Sequence, residues 1–170
     1  MNQESPNHLL ELMTDLAAGG VRFVVAGGVA VVLHGVERTT LDLDLALEET
    51  PENLERFLQF ATASGLKPRA PIPAEVLLDR VALDRLVVEK GARVLTFHHP
   101  DRPWLQLDVF LTPESSYRSL IDTATSVVLG GVSVHVVSTR QLIQMKRAIQ
   151  PPRDKDLSDI AALEKIQSHE

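Results

Sequence analysis

The spacing of hydrophobic and polar residues predicts a chain in which helices and strands follow one another. Helical spacing of apolar residues is found at 5–18, 29–34, 50–64, 74–90, 138–150 and 155–166. Apolar runs or strict alternation predict strands at 21–26, 41–47, 93–98, 104–111, 125–129 and 132–137. The first helix is expected to begin at Ser5-Pro6, because serine caps helices and proline suits the first helical position. This order favours one α/β domain of the α+β type over residues 1–170, with a mixed β-sheet flanked by helices.

The strand predicted at 41–47 carries two carboxylates. Its sequence alternates without a break, which places Asp42 and Asp44 on one face and the leucines on the other. Two anions this close repel each other unless a cation lies between them, and Mg²⁺ prefers oxygen ligands. The same alternation is also typical of a solvent-facing strand, although aspartate is disfavoured inside strands. Metal binding and plain exposure both stay open at this point.

A third carboxylate, Asp108, lies in a strand with the same alternation. The odd-numbered residues of 105–111 are aliphatic, so Asp108 projects from the opposite face. If the two strands are neighbours, Asp108 would complete a cage of three carboxylates with Asp42 and Asp44. Otherwise it is an exposed residue near the end of a strand.

The double glycine Gly27-Gly28 lies between the first strand and the helix predicted at 29–34. Backbone N–H groups at a strand–helix junction can bind a phosphate, and glycine also serves any tight turn that needs a positive φ. Because the next strand carries Asp42 and Asp44, this turn would place a phosphate beside a metal site.

These motifs, taken in order, resemble the signature of the nucleotidyltransferase superfamily, which has the DNA polymerase β-like fold. That signature is a hydrophobic residue, G-[GS], a run of intervening residues, D-x-[DE] on the next strand and a third acid on a later strand. Here it corresponds to Ala26-Gly27-Gly28, thirteen intervening residues, Asp42-Leu43-Asp44, and Asp108 in LQLDVF. The string GGVAVVLHGVERTTLDLDLALE, with LIQMK and RDKDLSDI near the C-terminal end, is similar to the small bacterial minimal and AbiEii-like nucleotidyltransferases.

The resemblance implies a Mg²⁺-dependent enzyme that transfers a nucleoside monophosphate from a nucleoside triphosphate such as ATP. Asp42 and Asp44 would bind two metal ions and the triphosphate, and Asp108 would hold the metal that activates the acceptor hydroxyl. Members of this family often belong to toxin–antitoxin systems, so the acceptor could be a partner protein such as a HEPN-like toxin, a tRNA end or a small molecule. The alternatives are a non-catalytic protein-binding module on the same fold and a phosphohydrolase that uses the same acids.

Two basic residues are candidates for binding the triphosphate. Arg38 lies four residues before Asp42 and could contact a phosphate, position the carboxylates, or only offset their charge. Lys146 is expected at the margin of an amphipathic helix, where it could reach the triphosphate. The alternative for Lys146 is a solvated lysine that pairs with Asp154 or Asp156.

Composition narrows the class of protein. Hydrophobic residues make up 44% and charged residues 24%, as in globular proteins, and the absence of cysteine excludes disulfides and thiolate sites. No apolar run is long enough to cross a bilayer and no secretory signal is evident, so we expect a cytoplasmic protein without membrane contact.

The net charge of −6 weighs mildly against tRNA as the acceptor, because binding to phosphates needs clustered cations. Residues 1–60 hold three Lys or Arg and ten Asp or Glu, a concentration of acid that fits metal binding.

Overall fold

Seven α-helices and seven β-strands follow one another along residues 7–169, the part of the chain that the structure, a computed structural model, describes. The helices are α1 (Asn7–Ala18), α2 (Gly27–Leu33), α3 (Pro51–Ala63), α4 (Arg80–Lys90), α5 (Tyr117–Leu120), α6 (Thr139–Arg147) and α7 (Asp154–Gln167). The strands are β1 (Phe23–Ala26), β2 (Leu43–Leu47), β3 (Lys67–Pro68), β4 (Val94–His99), β5 (Arg102–Phe110), β6 (Thr125–Leu129) and β7 (Val132–Val136).

The strands form one mixed sheet in the order β3-β4-β5-β2-β1-β7-β6. The pairs β2–β5 and β1–β7 are parallel, and the other four pairs are antiparallel. Strand β2 lies at the centre, between β5 and β1, although β5 follows it in the chain by more than fifty residues. The order therefore brings the two strands with candidate carboxylates side by side.

One face of the central strands is buried under α3. Leu43, Leu45 and Leu107 have no exposed surface, as their alternation with polar residues requires. Phe57 of α3 packs edge-on against Phe97 of β4, with 5.2 Å between the ring centroids. The burial of these large side chains fixes α3 to this face, so the polar residues between them project from the other face.

Local capping explains several helix boundaries. The side chain of Thr50 accepts a hydrogen bond from the backbone N–H of Asn53, and Pro51 takes the first position of α3. Ser138 caps α6 in the same way. Gly91 ends α4 with a φ of +64°, a left-handed conformation that costs glycine little.

The predicted fold class is confirmed: the chain is α/β, with helices packed on a mixed sheet. Three local expectations need correction. The helix predicted at 74–90 is two elements, a 3₁₀ segment at Ala74–Leu78 and then α4, because Asp79 leaves the helical path and caps α4. Strand β3 lies in a stretch for which the sequence pattern predicted no strand. Strand β2 begins at Leu43, two residues later than expected. The expected start at Ser5-Pro6 lies outside the described residues.

Candidate active site

A single row of residues that pair across neighbouring strands, here called a rung of the sheet, carries the central residues of the site. Ala26 of β1 lies opposite Asp44 of β2, and Asp44 lies opposite Asp108 of β5. On the far side of β5, Asp108 lies opposite Thr96 of β4. Since directly opposed residues share a face, the carboxylates of Asp44 and Asp108 project side by side from the face that α3 leaves free.

The carboxylate of Asp44 is held where ionisation is unfavourable. Burial, and next the negative charges of Asp108 and Asp42, raise the pKa of Asp44 from 3.8 to about 6, although Lys146 and Lys155 act in the opposite direction. A cation bound at this point would relieve both the burial penalty and the repulsion.

Asp108 has a fixed orientation. The hydroxyl of Thr96 donates a hydrogen bond to its Oδ1 at 2.6 Å. Burial raises the pKa of Asp108 above its usual range, the Thr96 hydrogen bond and Arg69 oppose the shift, and the charge of Asp42 adds to it. Asp108 is therefore a positioned carboxylate whose affinity for a proton is increased.

Asp42 lies just before β2 and is exposed, so its side chain is less constrained than that of Asp44. Its charge acts on both Asp44 and Asp108. Within residues 7–169, however, no group of three His, Asp or Glu side chains is arranged closely enough to hold a metal ion. The three predicted acids thus lie in one region, with two directly opposed and the third at its edge.

The two glycines of the turn lie in close contact with side chains from later parts of the chain. A Cβ on Gly27 would lie 1.9 Å from Oδ2 of Asp44, and the φ of Gly27 is +61°. A Cβ on Gly28 would lie 2.6 Å from the hydroxyl oxygen of Thr40 and 3.2 Å from the guanidinium carbon of Arg38. Both glycines are therefore required by close approach, and the predicted junction brings the start of α2 against Asp44 and Arg38.

A network of buried charges holds the two predicted basic residues. Nη1 of Arg38 lies 2.5 Å from Oδ2 of Asp159, and Nζ of Lys146 lies 2.8 Å from the same oxygen. Lys146 also contacts Oδ1 of Asp156 at 3.4 Å and is only 7% exposed. The expected pairing with Asp156 is present, but Lys146 is neither solvated nor at an exposed margin, because α7 covers it.

Several residues of this region were not singled out from the sequence. Arg153 binds Asp156 through Nε and Nη2, at 2.5 and 3.0 Å. This hydrogen bonding raises the pKa of Arg153, as do the nearby charges of Asp156, Asp44 and Asp159. The signal available in the sequence was the spacing of Asp156 and Asp159, which places both on one face of a helix. Arg38, a partner of Asp159, lies 121 positions away in the chain, too far for the spacing to identify it.

A cavity of about 430 Å³ lies elsewhere, near the ends of β2 and β5 that point away from the site. Its walls include Leu47 and Val109 from the sheet, Leu54 from α3 and Leu83 from α4. None of the residues predicted for the site lines it, so we place the candidate site at the carboxylates. Across residues 7–169, no helix combines the length and the apolar character needed to cross a membrane.

The fold is similar to those of several solved structures. The lincosamide antibiotic adenylyltransferase LnuA, solved with lincomycin bound, has a TM-score of 0.63 and 15% sequence identity, over 97% of this chain and 99% of that chain. An antigenic nucleotidyltransferase-like protein from Paracoccidioides brasiliensis has a TM-score of 0.59 and 18% identity, over 94% of this chain and 76% of that chain. The antibiotic-resistance factor ANT(2'')-Ia has a TM-score of 0.59 and 14% identity, over 96% of this chain and 90% of that chain.

Comparison of the sequence itself gives no further assignment. No family model matches it. No curated protein matches it either. The structural likenesses extend over nearly the whole chain, and the chain has the nucleotidyltransferase fold.

Proposed function

We propose that this chain is a nucleotidyltransferase, which transfers a nucleoside monophosphate from a nucleoside triphosphate to a hydroxyl group. The observation that carries the proposal is the opposition of Asp44 and Asp108 on adjacent strands, next to a turn in which Gly27 leaves room for the Asp44 carboxylate. A metal-bound triphosphate requires carboxylates that hold the metal ions and, beside them, a turn of small residues that lets the phosphates approach. Asp44 and Asp108 fit this role, because a bound cation would offset the free energy that their ionisation costs. The fold supports the same proposal, since LnuA is named an adenylyltransferase.

The side chains present fit Mg²⁺. Asp42, Asp44 and Asp108 offer only oxygen ligands, and burial and mutual repulsion raise the pKa of the last two. When bound, two Mg²⁺ ions would neutralise charge that develops on the reacting phosphate. Asp42 and Asp44 would hold the ions with the triphosphate, and Asp108 would hold the ion nearer the acceptor. The exposed Asp42 would have to turn towards the other two.

The remaining roles follow from position. Gly27 and Gly28 would let the triphosphate approach the backbone, and Arg38, fixed against Gly28 by Asp159, would contact its oxygens. Lys146 is buried in the ion network, so its charge would act on the triphosphate from beneath the site.

The reaction breaks the bond between the α-phosphorus and the oxygen bridging to the β-phosphate. A new bond forms between the α-phosphorus and the acceptor oxygen, and pyrophosphate leaves. Asp108 would accept the proton of the acceptor hydroxyl, which suits a carboxylate with a raised pKa. The acceptor is a small molecule, a tRNA end or a partner such as a HEPN-like toxin, the last two within a toxin–antitoxin system.

The test is label transfer. The full chain is incubated with each α-³²P-labelled nucleoside triphosphate, Mg²⁺ and fractionated cell extract, beside Asp44→Asn, Asp108→Asn and the exposed control Asp101→Asn. We expect labelled product and pyrophosphate with the wild type and the control, and neither with the two site variants. Release of inorganic phosphate would indicate a phosphohydrolase instead. Absence of Mg²⁺-dependent nucleotide binding would leave the non-catalytic alternative.

A further inference from the structure

The rung that carries the candidate carboxylates continues past Asp108 to a fixed cation. Opposite Asp108 lies Thr96, and the backbone carbonyl of Thr96 accepts a hydrogen bond from the backbone N–H of Arg69 at 2.9 Å. Across the sheet the order is therefore Ala26, Asp44, Asp108, Thr96 and Arg69, and Gly27 directly follows Ala26. The glycine turn and Arg69 lie at opposite ends of one line, with both carboxylates between them.

Strand spacing gives the scale of this line. Neighbouring strands lie about 4.8 Å apart, so the backbone at Arg69 is about 10 Å from that at Asp108 and about 19 Å from the strand that leads into Gly27. A triphosphate beside Gly27 therefore lies on the far side of the carboxylates from Arg69. The acceptor, which must approach Asp108 from the open side, lies on the side of Arg69.

Arg69 is held in place but is not neutralised. Its Nη2 donates a hydrogen bond to Oε1 of Gln106, which shares the face of Asp108 two residues along β5. Among residues 7–169, no carboxylate lies within salt-bridge distance of Arg69. Its positive charge nevertheless reaches the site, where it lowers the pKa of Asp108 against the larger effect of burial.

A second cation extends the same patch. Lys67 of β3 lies opposite His98, and His98 lies opposite Gln106. Residues opposed across strands share a face, so the side chains of Lys67, His98 and Gln106 form the next rung of the open face. Lys67 is exposed and, within the described chain, has no carboxylate partner. Two cations thus flank the approach to Asp108 from the side away from the nucleotide.

We propose that Arg69, with Lys67 and Gln106, forms a subsite for an anionic group of the acceptor, and that the acceptor is a hydroxyl compound bearing a phosphate. This proposal rests on the proposed function. A guanidinium held by one amide retains further N–H donors in a planar arrangement that matches phosphate oxygens. A polyamine acceptor such as tobramycin would meet two like charges on this side. A free sugar phosphate and the end of an RNA strand share the required chemistry.

Nuclear magnetic resonance of the full chain tests the subsite without requiring turnover. The first titration uses α,β-methylene ATP with Mg²⁺ and follows the amides of Gly27 and Gly28, which tests the proposed function. The second adds ribose 5-phosphate, ribose or tobramycin to the nucleotide-saturated protein and follows the side-chain N–H groups of Arg69 and Gln106. A trinucleotide of RNA replaces ribose 5-phosphate in a further arm, and the tighter binder identifies the source of the phosphate.

We expect ribose 5-phosphate to shift the Arg69 and Gln106 signals saturably, and ribose and tobramycin to leave them in place. Arg69→Gln should weaken ribose 5-phosphate binding at least about tenfold, as expected for loss of a charge-assisted hydrogen bond. Arg69→Lys should weaken it less. Arg85→Gln, which removes an exposed cation from α4, should have no effect.

Three results would overturn the subsite. One is binding of ribose as tight as that of ribose 5-phosphate, and another is a stronger response to tobramycin. The third is an equal loss of α,β-methylene ATP affinity in Arg69→Gln, which would assign Arg69 to the triphosphate. Failure of the first titration alone would instead count against the proposed function.

Discussion

Gly27 and Asp44 share a space that admits only one side chain. The carboxylate of Asp44 occupies the position that a Cβ of residue 27 would take, and the φ of Gly27 adds a second reason for glycine. Other residues cost about 1–2 kcal/mol in a left-handed conformation, before any clash is counted. The contact between these two residues therefore sets where the glycine turn lies relative to β2.

Alanine at position 27 separates this contact from backbone strain. We expect Gly27→Ala to displace the Asp44 carboxylate and to slow nucleotidyl transfer about a hundredfold, since displacements of about 1 Å have effects of this size. Gly91→Ala is the matched control, because Gly91 has a φ of +64° and open space around its Cβ position. Initial rates measured well below the unfolding temperature distinguish the two. Equal rates in both variants would contradict a role for the Gly27–Asp44 contact.

At the residue scale, the sequence could identify those site residues whose positions follow from local spacing. Alternation placed Asp44 and Asp108 on polar faces, and the order of motifs joined them to Gly27-Gly28. Spacing could not identify Arg69 or Asp159, because each acts through a partner far away in the chain. Arg38 and Asp159, for example, are separated by 121 positions.

At the scale of elements, ion pairs formed by the buried residues Asp156 and Asp159 connect α7 to the site. Asp156 has no exposed surface and pairs with Lys146 of α6 and with Arg153. Although burial opposes it, the hydrogen bond from Arg153 and the charges of Lys146 and Arg153 lower the pKa of Asp156. The ion pairs thus join α6, α7 and the loop that carries Arg38, through the shared partner Asp159.

Removing the charge at Asp156 should loosen this attachment. We expect Asp156→Asn to lower the free energy of unfolding by about 3 kcal/mol, because it removes one of the two carboxylates that pair with the buried Lys146. Asp154→Asn, at an exposed position on the same helix, should cost less than about 1 kcal/mol through the helix dipole. Urea denaturation at neutral pH measures both. Similar losses in the two variants would show that the buried pairs contribute little to the docking of α7.

Strand β3 is an element that the sequence did not reveal because tertiary contacts form it. Strand β3 has only two residues, one of them a proline, and it exists because Lys67 and Pro68 pair with β4. No periodic pattern can develop over two residues. The break at Asp79 had a local signal, a capping residue, but the apolar spacing on either side concealed it.

At the scale of the whole molecule, the fold gathers charge of both signs at one place. Residues 1–60 carry a net charge of −7, and the remainder carries +1. The sheet brings Asp44 to Asp108, and the C-terminal helices bring Lys146, Arg153 and Lys155 towards Asp44. These cations offset the carboxylates only in part, since the pKa of Asp44 stays raised. In the free protein, ionised Asp44 therefore carries a burial penalty and, second to it, repulsion from Asp108 and Asp42, and a bound cation would relieve both.

The raised pKa of Asp44 predicts how stability depends on pH. Asp44 has a pKa of 3.8 when unfolded and about 6 when folded, so the folded state holds an extra proton between these values. The free energy of unfolding should therefore fall as the pH rises through this range and stay lowered above it. In EDTA, Asp44→Asn should match the wild type near pH 4 and exceed its stability by up to about 3 kcal/mol at neutral pH. Urea titrations at several pH values check this, with Asp101→Asn expected to follow the wild type. If the curves of Asp44→Asn and the wild type stay parallel, Asp44 ionises in the folded protein without cost, and the central rung of the sheet has no need of a cation.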